Sequence, residues 1–342
     1  MKTHFEKPKA VSESIFEEKV LPKIIKDNNL LLLDFELMKR IPVKYVIDKA
    51  IEDGTLKKDG TIIESSSGSY ALALAEYGMI YGYSIIIVAS SAINKMLKNR
   101  LEALGAKLIY PNGNNQEVRV KFIEEYLKNN EDIFHTNQYA NRDNCIAYYD
   151  VIDKISSQSS NIDILVTTVG TGVSISGMAE RLLQKNPATK IVGVDVFGSM
   201  SFHKVDSNDY NMNLVSGFGS NRIMENLNYS IIDEVHWLTA NEIHLSAKKL
   251  YETYGIYKGP SSGVAWWVAK YYAQKYPCKK VAVVLPDNGD RYFETTYSEQ
   301  FFKEHNFNNE IPNNPQIIEQ LDNLANNQWS CFSWLRKDRK IT

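Results

Sequence analysis

Three short loops of small polar residues could carry chemistry, because each follows an apolar segment of the chain. They span residues 65–69, 170–177 and 286–292. In residues 170–177, glycines and hydroxyls leave backbone N–H groups accessible at the start of a predicted helix, which is a common way to bind a phosphate. No Lys-Ser or Lys-Thr pair follows, and the glycine spacing differs from Gly-x-Gly-x-x-Gly, so neither a nucleoside-triphosphate loop nor a dinucleotide loop is indicated. A purely structural tight turn remains the alternative.

The serine run in residues 65–69 is a second candidate anion site. Consecutive hydroxyls and amides at a helix N-terminus suit a carboxylate, such as that of an amino acid. A helix cap would account for one serine, but this segment contains four. The run therefore favours a substrate carboxylate over a capping role.

Lys39 could supply a reactive amine. It follows a predicted buried strand and precedes Pro42, a favourable residue for the first turn of a helix. Burial would lower the pKa of the amine and allow it to form a Schiff base with a carbonyl group. A single lysine at such an edge is more often a surface charge, so this interpretation depends on the loops around it.

The elements that must position these residues alternate between short apolar segments and longer amphipathic ones. The pattern predicts strands over residues 30–35, 61–64, 84–88, 107–110, 164–168, 190–196 and 280–285. It predicts helices over residues 42–53, 71–81, 95–104, 116–128, 177–184, 240–254 and 263–275. Strands that are apolar on both faces and separated by helices indicate parallel sheets covered on both sides. Ligands of such folds bind beyond the carboxyl ends of the strands, which is where the three loops lie.

The composition is that of a folded globular protein with a balanced surface charge. Hydrophobic residues make up 44% of the 342 residues and the net charge is −2, so we expect no nucleic-acid partner and no membrane partner. The three separated cysteines predict no disulfide framework, and no Cys/His cluster has the spacing of a metal site. Without a signal pattern or a long apolar segment, a cytoplasmic protein is expected.

Several segments resemble the cysteine synthase family of pyridoxal-phosphate enzymes, in the order in which that family has them. Residues 38–47 resemble its Lys-Asp-Arg-Pro-Ala-Lys-Tyr-Ile-Ile segment without a gap. Residues 63–69 resemble its Glu-Ser-Thr-Ser-Gly-Asn loop, and residues 170–177 are similar to its Gly-Thr-Gly-Gly-Thr-Ile-Ser-Gly loop. Further similar segments are residues 192–195, 217–219, 259–263 and 286–292, so that the resemblance covers roughly residues 15–302.

The resemblance implies an α/β protein of the tryptophan synthase β-like type. Two doubly wound parallel-sheet domains would hold pyridoxal 5′-phosphate in the cleft between them. The smaller domain would comprise residues 36–150, the larger cofactor-binding domain residues 15–35 and 151–305, and a tail extension residues 306–342. The family is usually dimeric, which implies a homodimer acting on small-molecule amino-acid substrates.

The resemblance also implies a role for individual residues. Lys39 would carry the cofactor as a Schiff base and later take the α-proton of the substrate. The other cofactor contacts would be Ser69, Gly170, Thr171, Gly172, Val173, Ser174, Ser262 and Asn288, with Asn288 at the pyridine nitrogen. The substrate would contact Ser66, Ser67, Gly68, Ser69, Gln138 and Gly217. No metal is expected.

The chain departs from the family pattern at identifiable positions. The Asn-Pro-x-Gly-Ser turn that precedes the family's lysine is absent, since residues 30–37 run directly into Met38. Ser69 and Asn288 stand where the family usually has Asn and Ser, and Val173 replaces a glycine of the phosphate loop. These exchanges retain hydrogen-bonding capacity, because the hydroxyl of Ser69 can bond an oxygen and the amide of Asn288 can donate to a ring nitrogen.

Residues 137–141, 217–222 and 289–292 most resemble siderophore-type synthases, which join O-phosphoserine to glutamate as a diaminopropionate precursor. The implied reaction is β-replacement on O-phosphoserine or O-acetylserine through an aminoacrylate intermediate, with an amino acid or sulfide as nucleophile. One alternative is a serine/threonine dehydratase of the same fold. Another is a non-catalytic homologue that acts as a binding or scaffold protein, suggested by the absent turn, Ser69 and the long tail.

The tail from residue 306 changes character, with several asparagines, two prolines and then Trp329 and Trp334. A helix is predicted between the prolines and the tryptophans. We interpret the tail as an appended surface segment, with an oligomer or partner contact as the alternative, because exposed aromatic residues tend to be covered.

Overall fold

Two sheets form the framework of the part of the chain that the computed structural model describes. The described residues are 20–113, 115–158, 161–203, 210–324 and 328–337. Residues 15–19 of the predicted larger domain and residues 338–342 of the predicted tail lie outside them.

The twelve strands of the described residues divide into a sheet of eight and a sheet of four. In chain order they are β1 (Lys23–Asp27), β2 (Leu30–Asp34), β3 (Thr61–Ser65), β4 (Ser84–Val88), β5 (Lys107–Ile109), β6 (Ile133–His135), β7 (Ile164–Thr168), β8 (Lys190–Val196), β9 (Glu234–Leu238), β10 (Val281–Leu285), β11 (Gln316–Ile318) and β12 (Ser330–Ser333). The larger sheet has the order β1-β2-β10-β7-β8-β9-β12-β11, and the smaller sheet has the order β5-β4-β3-β6.

Helices connect most of these strands. They are α1 (Arg40–Glu52), α2 (Ser69–Tyr81), α3 (Lys95–Ala103), α4 (Gln116–Lys128), α5 (Asp143–Ile146), α6 (Tyr148–Gln158), α7 (Val173–Lys185), α8 (Tyr210–Leu214), α9 (Ala240–Tyr254), α10 (Pro260–Lys275) and α11 (Glu299–Glu304). Short 3-10 turns span Tyr229–Ile231, Asp290–Tyr292 and Leu321–Asn323. Among the described residues, no helix has both the length and the apolar character needed to cross a membrane.

The central strands of both sheets are parallel and buried. Strands β2, β10, β7, β8 and β9 run parallel to their neighbours in that order, and all four strands of the smaller sheet are parallel. Every residue of β7 and β10 is buried, as expected for strands covered by helices on both faces. The predicted α/β class with two parallel-type sheets is confirmed.

Strands β1, β6 and β9 contain more polar residues than the central strands, and they were not predicted from the sequence. Strand β1 has the sequence Lys-Ile-Ile-Lys-Asp and pairs antiparallel with β2 at the edge of the sheet. Strands β6 and β9 contain histidine, and β9 begins with a glutamate. Their alternation of polar and apolar residues is too short to distinguish a strand from a loop or helix end.

Four helices that carry site loops begin earlier than predicted. Helix α1 begins at Arg40 rather than at residue 42, α2 at Ser69 rather than at 71, α7 at Val173 rather than at 177, and α10 at Pro260 rather than at 263. Their first turns contain Pro, Ser or Gly, which on propensity alone are typical of loops but are well tolerated near a helix start. The polar loops therefore join helix N-termini directly.

In the described residues of the tail, 306–324 and 328–337, the helix predicted between the prolines and the tryptophans is not found, and residues 325–327 of that interval lie outside the description. Residues 316–318 form β11 and residues 330–333 form β12, which pairs antiparallel with β9. Trp329 and Trp334 are 1% and 6% exposed and join the core of the larger sheet. The described part of the tail is therefore an integral part of the fold rather than an appended surface segment.

A buried hydrogen-bond chain attaches the tail to β9. Trp329 Nε1 donates to His236 Nδ1 over 2.9 Å, and His236 Nε2 lies 2.8 Å from the hydroxyl of Tyr272. Burial lowers the pKa of His236 to about 3, so the ring is neutral. Because Nδ1 accepts from tryptophan, Nε2 carries the proton and donates to Tyr272, whose hydroxyl donates to Glu234.

Replacement of Trp329 by Phe should destabilise the fold, because His236 Nδ1 would lose its donor inside the core. The expected loss is about 1–3 kcal/mol of unfolding free energy, measured by urea denaturation. The control is Trp267→Phe, where the lost bond to Pro312 O is exposed to water and the expected loss is smaller. Equal losses in the two variants would contradict the role of the buried chain.

Candidate active site

A cavity of about 270 Å³ lies where the carboxyl ends of β2, β3, β7 and β10 meet. Residues after β3 come from the smaller sheet, and residues after β2, β7 and β10 come from the larger one, so both sheets contribute. Ten of the residues predicted for the site line this cavity: Lys39, Ser66, Ser67, Gly68, Ser69, Gln138, Gly170, Thr171, Ser174 and Gly217. The structure thus brings all three polar loops and the lysine together.

Two predicted cofactor contacts shape the phosphate loop instead of lining the cavity. Gly172 precedes the first residue of α7 with a φ of +78°, a conformation that favours glycine. A Cβ atom at this position would lie 2.6 Å from the backbone of Leu227. Val173 is 1% exposed and belongs to the hydrophobic core. The loop can therefore close tightly only with glycine at residue 172.

Two further predicted contacts point elsewhere. Asn288 Oδ1 accepts a hydrogen bond from Lys258 Nζ over 2.8 Å, and Asn288 does not line the cavity. Ser262 Oγ lies 3.5 Å from the carbonyl oxygen of Asp287 and is also outside the lining. Their neighbours Ser261 and Asp287 face the cavity. The polar pair that lines this wall is therefore Ser261 with Asp287, each one residue before a predicted contact.

The carboxylate of Asp287 is fixed by its own loop. Arg291 Nη2 lies 2.7 Å from Asp287 Oδ2, the Tyr292 hydroxyl donates to the same oxygen over 3.0 Å, and Ser261 Oγ lies 3.4 Å from Oδ1. A Cβ atom at Gly217 would lie 3.0 Å from the Tyr292 hydroxyl, so this loop packs directly behind residue 217. Asp287 is thus a satisfied, immobile carboxylate at the cavity wall.

Lys39 immediately precedes α1, with its side chain directed into the cavity. Part of the side chain is accessible to water from the cavity, but Nζ lies deep among protein atoms, and this desolvation lowers its pKa to about 8. Nearby Cys145, Asp287 and Glu64 act in the opposite direction. About a tenth of the amine is therefore neutral and nucleophilic at pH 7, far more than for an ordinary lysine.

The start of α7 is the part of the cavity that is suited to an anion. The first four N–H groups of an α-helix have no partner within the helix, and α7 is thirteen residues long, so its dipole also favours an anion here. The hydroxyl residues Thr171 and Ser174 line the cavity at this end. Thr171 Oγ1 lies 3.4 Å from Lys39 Nζ, so the amine and the anion site share one space.

The serine loop precedes α2 and has its hydroxyls directed by the backbone. Ser66 Oγ accepts from Gly68 N–H over 3.3 Å and from Ala71 N–H over 3.2 Å. Ser67 Oγ accepts from Ser90 N–H over 2.8 Å. Since each oxygen already accepts, its remaining proton can be donated to a carboxylate in the cavity. The Ser66 hydroxyl thus accepts an N–H of the first turn of α2 and keeps its own proton, so the two roles that the sequence left as alternatives are compatible.

A buried carboxylate holds the serine loop against the Gln138 loop. Glu64 is fully buried and accepts from Ser65 N–H over 2.6 Å, from Gln138 N–H over 3.0 Å and from the Thr136 hydroxyl over 2.5 Å. Gln138 Nε2 in turn donates to Ser65 O over 2.9 Å. Gln138 therefore lines the cavity while its side chain supports the neighbouring loop.

The cavity residues that the sequence interpretation did not include comprise Gln116, Arg119 and Tyr139 among others. Gln116 and Arg119 lie in the first turns of α4, and Arg119 is 8% exposed. The Tyr139 hydroxyl donates to Ser65 O over 3.0 Å, and burial raises its pKa, which Arg119 opposes. In sequence, α4 is an ordinary amphipathic helix with mixed charges, so nothing marks Arg119 until the fold places it.

Comparison with known proteins identifies the cofactor class. Residues 38–287 match the family described as pyridoxal-phosphate dependent enzyme, which is more than half of the chain and includes Lys39 and Asp287. The chain belongs to this family. Its members use pyridoxal phosphate, and this protein is therefore a pyridoxal-phosphate-dependent enzyme.

Solved structures share the fold. An O-acetylserine sulfhydrylase, isoform 3, from Entamoeba histolytica superposes with a TM-score of 0.76 at 24% identity, covering 85% of this chain and 93% of that one. An O-acetylserine-dependent cystathionine β-synthase from Helicobacter pylori gives 0.76 at 22% identity, with 84% and 99% covered. A hydrogen sulfide-producing enzyme from Fusobacterium nucleatum gives 0.73 at 23% identity, with 82% and 100% covered. At these identities the similarity concerns the fold.

The cavity fits this cofactor on its own geometry. An aldehyde needs a neutral amine, which Lys39 provides, and a phosphate needs backbone N–H donors, which the start of α7 provides. The two lie in the same cavity, with Ser261 and Asp287 as further polar groups on its wall.

The pKa of Lys39 sets a pH dependence for cofactor capture. Only the neutral amine attacks the aldehyde, so the rate of capture should rise about tenfold per pH unit below 8 and level off above it. Stopped-flow absorbance after mixing cofactor-free protein with pyridoxal phosphate measures this rate. Lys39→Ala should abolish the signal, and a midpoint near the ordinary lysine value of 10.5 would contradict the burial argument.

Proposed function

We propose that this enzyme catalyses β-replacement on O-phosphoserine, with an amino acid or sulfide as the incoming nucleophile. The observation that carries the proposal is that one cavity is lined by Lys39, by serines whose hydroxyls suit a substrate carboxylate and by Arg119. The same reaction belongs to the siderophore-type diaminopropionate-precursor synthases, which the sequence resembles.

The serine loop is proposed to orient the substrate. Ser66 and Ser67 have hydroxyl protons available for its carboxylate, and Ser69 begins α2, where the helix dipole also favours an anion. A carboxylate bound there fixes one substituent of the α-carbon. The α-proton can then be presented to a single base.

Lys39 Nζ is proposed to be that base, since its lowered pKa leaves a neutral amine that can accept the α-proton. Bound pyridoxal phosphate supplies the electron withdrawal that makes this proton acidic. Ser261 is the proposed neutral partner of the ring nitrogen, because it lies at the cavity wall and its hydroxyl contact with Asp287 Oδ1 is long, at 3.4 Å, so the hydroxyl can turn to the ring. A neutral partner keeps the withdrawal moderate, which suits loss of a β-substituent.

Arg119 is the reason to prefer phosphate over acetate as the leaving group. A phosphate monoester carries nearly two negative charges near neutral pH and matches a guanidinium in shape and charge. A second guanidinium, that of Arg222, lies 5.8 Å from the centre of the Tyr139 ring, next to the same wall. Acetate leaving from O-acetylserine would make much weaker use of these groups, since the ester is neutral before it leaves.

Product analysis tests the reaction class. Purified enzyme is incubated with O-phosphoserine or O-acetylserine and with glutamate or sulfide, and the products are identified by mass spectrometry. A replacement product that requires the nucleophile supports the proposal. A keto acid formed without any nucleophile would instead indicate a dehydratase, and no turnover together with no cofactor absorbance would indicate a non-catalytic homologue.

Substitution of Arg119 by Gln should impair the phosphate substrate selectively. Loss of a charge-assisted hydrogen bond corresponds to about a 10- to 100-fold fall in kcat/KM for O-phosphoserine, with a much smaller fall for O-acetylserine. The control is Arg181→Gln, which breaks the half-exposed pair with Asp153 on the outer surface of α7. Equal losses for both substrates would contradict the preference for phosphate as the leaving group. The reaction class would still be tested by the product analysis.

A further inference from the structure

The segment between β2 and the site lysine replaces the turn that is absent from the family pattern. Residues 34–38, which we call the pre-lysine strap, run beside the end of β10. Phe35 N–H donates to Leu285 O over 3.0 Å, and Met38 N–H donates to Pro286 O over 2.8 Å. The strap is therefore attached to the larger sheet by backbone hydrogen bonds at both ends.

The ammonium of Lys258 lies behind this strap. Lys258 is 2% exposed, and its Nζ donates to Phe35 O over 2.7 Å and to Asn288 Oδ1 over 2.8 Å. It also forms an ion pair with Asp34. An ammonium has three N–H donors, so these three acceptors use all of them and fix the position of the group.

The backbone of Lys258 belongs to a third segment beside the cavity, in addition to the pre-lysine strap and the loop that contains Asp287. It forms an isolated β-bridge with Asn288, and the next residue, Gly259, donates its N–H to Asp287 O over 3.2 Å. Gly259 immediately precedes α10, and Ser261 in the first turn of that helix faces the cavity. One buried lysine thus joins the segments that carry Lys39, Ser261 and Asp287.

We propose that Lys258 is a positioning residue for Lys39, holding the pre-lysine strap in the place that the missing turn would otherwise define. The side chain does not line the cavity and takes no part in proton transfer. It acts through Asp34 and Phe35, which belong to the strap and lie a few residues before Lys39. The inference depends on Lys39 carrying the cofactor, but not on the choice of serine derivative.

The chemical consequence concerns the surroundings of the amine. Lys39 owes its lowered pKa to exclusion from water, against the pull of Cys145, Asp287 and Glu64. Its Nζ also lies near the neutral Thr171 hydroxyl. If the strap moves outward, water reaches the amine. Burial then no longer offsets the rise in pKa that Cys145, Asp287 and Glu64 cause. The pKa of Lys39 should then rise towards the ordinary value.

Labelling of Lys39 measures this directly in Lys258→Met. The full-length chain, freed of cofactor, is treated briefly with acetic anhydride at a series of pH values, and acetylation of Lys39 is read by mass spectrometry. The wild-type midpoint is expected near 8, and the variant midpoint at least about one pH unit higher. The dissociation constant for pyridoxal phosphate should rise about tenfold or more, because the neutral amine is scarcer at a given pH.

Asp34→Asn separates positioning from a plain charge effect. Removing the positive charge of Lys258 would by itself raise the pKa of Lys39, whereas removing the negative charge of Asp34 would by itself lower it. If positioning is the cause, both variants weaken the hold on the strap and both midpoints rise. Asp34→Asn also retains the two neutral acceptors of Lys258, so it serves where Lys258→Met does not fold.

The matched control is Lys190→Met, which removes a part-buried lysine paired with Glu234 over 2.8 Å near the amino ends of β8 and β9. It should leave the Lys39 midpoint and cofactor affinity unchanged even if it lowers overall stability. Unchanged Lys39 labelling in Lys258→Met, or a lowered midpoint in Asp34→Asn, would overturn the positioning role. A wild-type protein that binds no cofactor at Lys39 would instead overturn the proposed function itself.

Discussion

An amine can serve as both attachment point and base only if it is kept from bulk water while remaining within reach of its partners. A charged lysine in a desolvated position is unfavourable, and the fold responds by lowering the pKa of Lys39 to about 8. This requirement explains why loops from both sheets surround a single side chain. It also explains why the acidic groups nearest to it are themselves hydrogen-bonded, as in Glu64 and Asp287.

The parts of the molecule that could be predicted from sequence are those with local signals. Buried strands such as β7 and polar loops at strand ends follow from apolar runs and turn residues. Asn288 contacts Lys258 rather than lining the cavity, because neighbouring residues of an extended segment face opposite sides. Arg119 was missed for a different reason: on an amphipathic helix, only the tertiary fold decides which charged residue meets the site.

The start of α1 shows how one position can be maintained by different means. The family pattern uses a Pro- and Gly-containing turn before the lysine, whereas this chain uses a segment without proline or glycine, attached by backbone bonds and side-chain pairs. Arg40, which is buried next to the site lysine, adds to this by pairing with Glu76 over 2.7 Å and Glu36 over 3.2 Å. Glu76 belongs to α2, so the segment is also tied to the helix that follows the serine loop.

The strands contributed by the tail were not predicted, because Asn- and Pro-rich flanks give no periodicity. These strands become regular only by pairing with a distant strand.

The position of the tail strands has a consequence for solubility. Strand β9 is buried at four of its five residues and would be an open sheet edge without β12. Such an edge invites pairing with other chains. The outermost strand is instead β11, which has three residues, two of them exposed. The tail therefore ends the sheet with a short, poor template, and protects the enzyme against growth by strand addition.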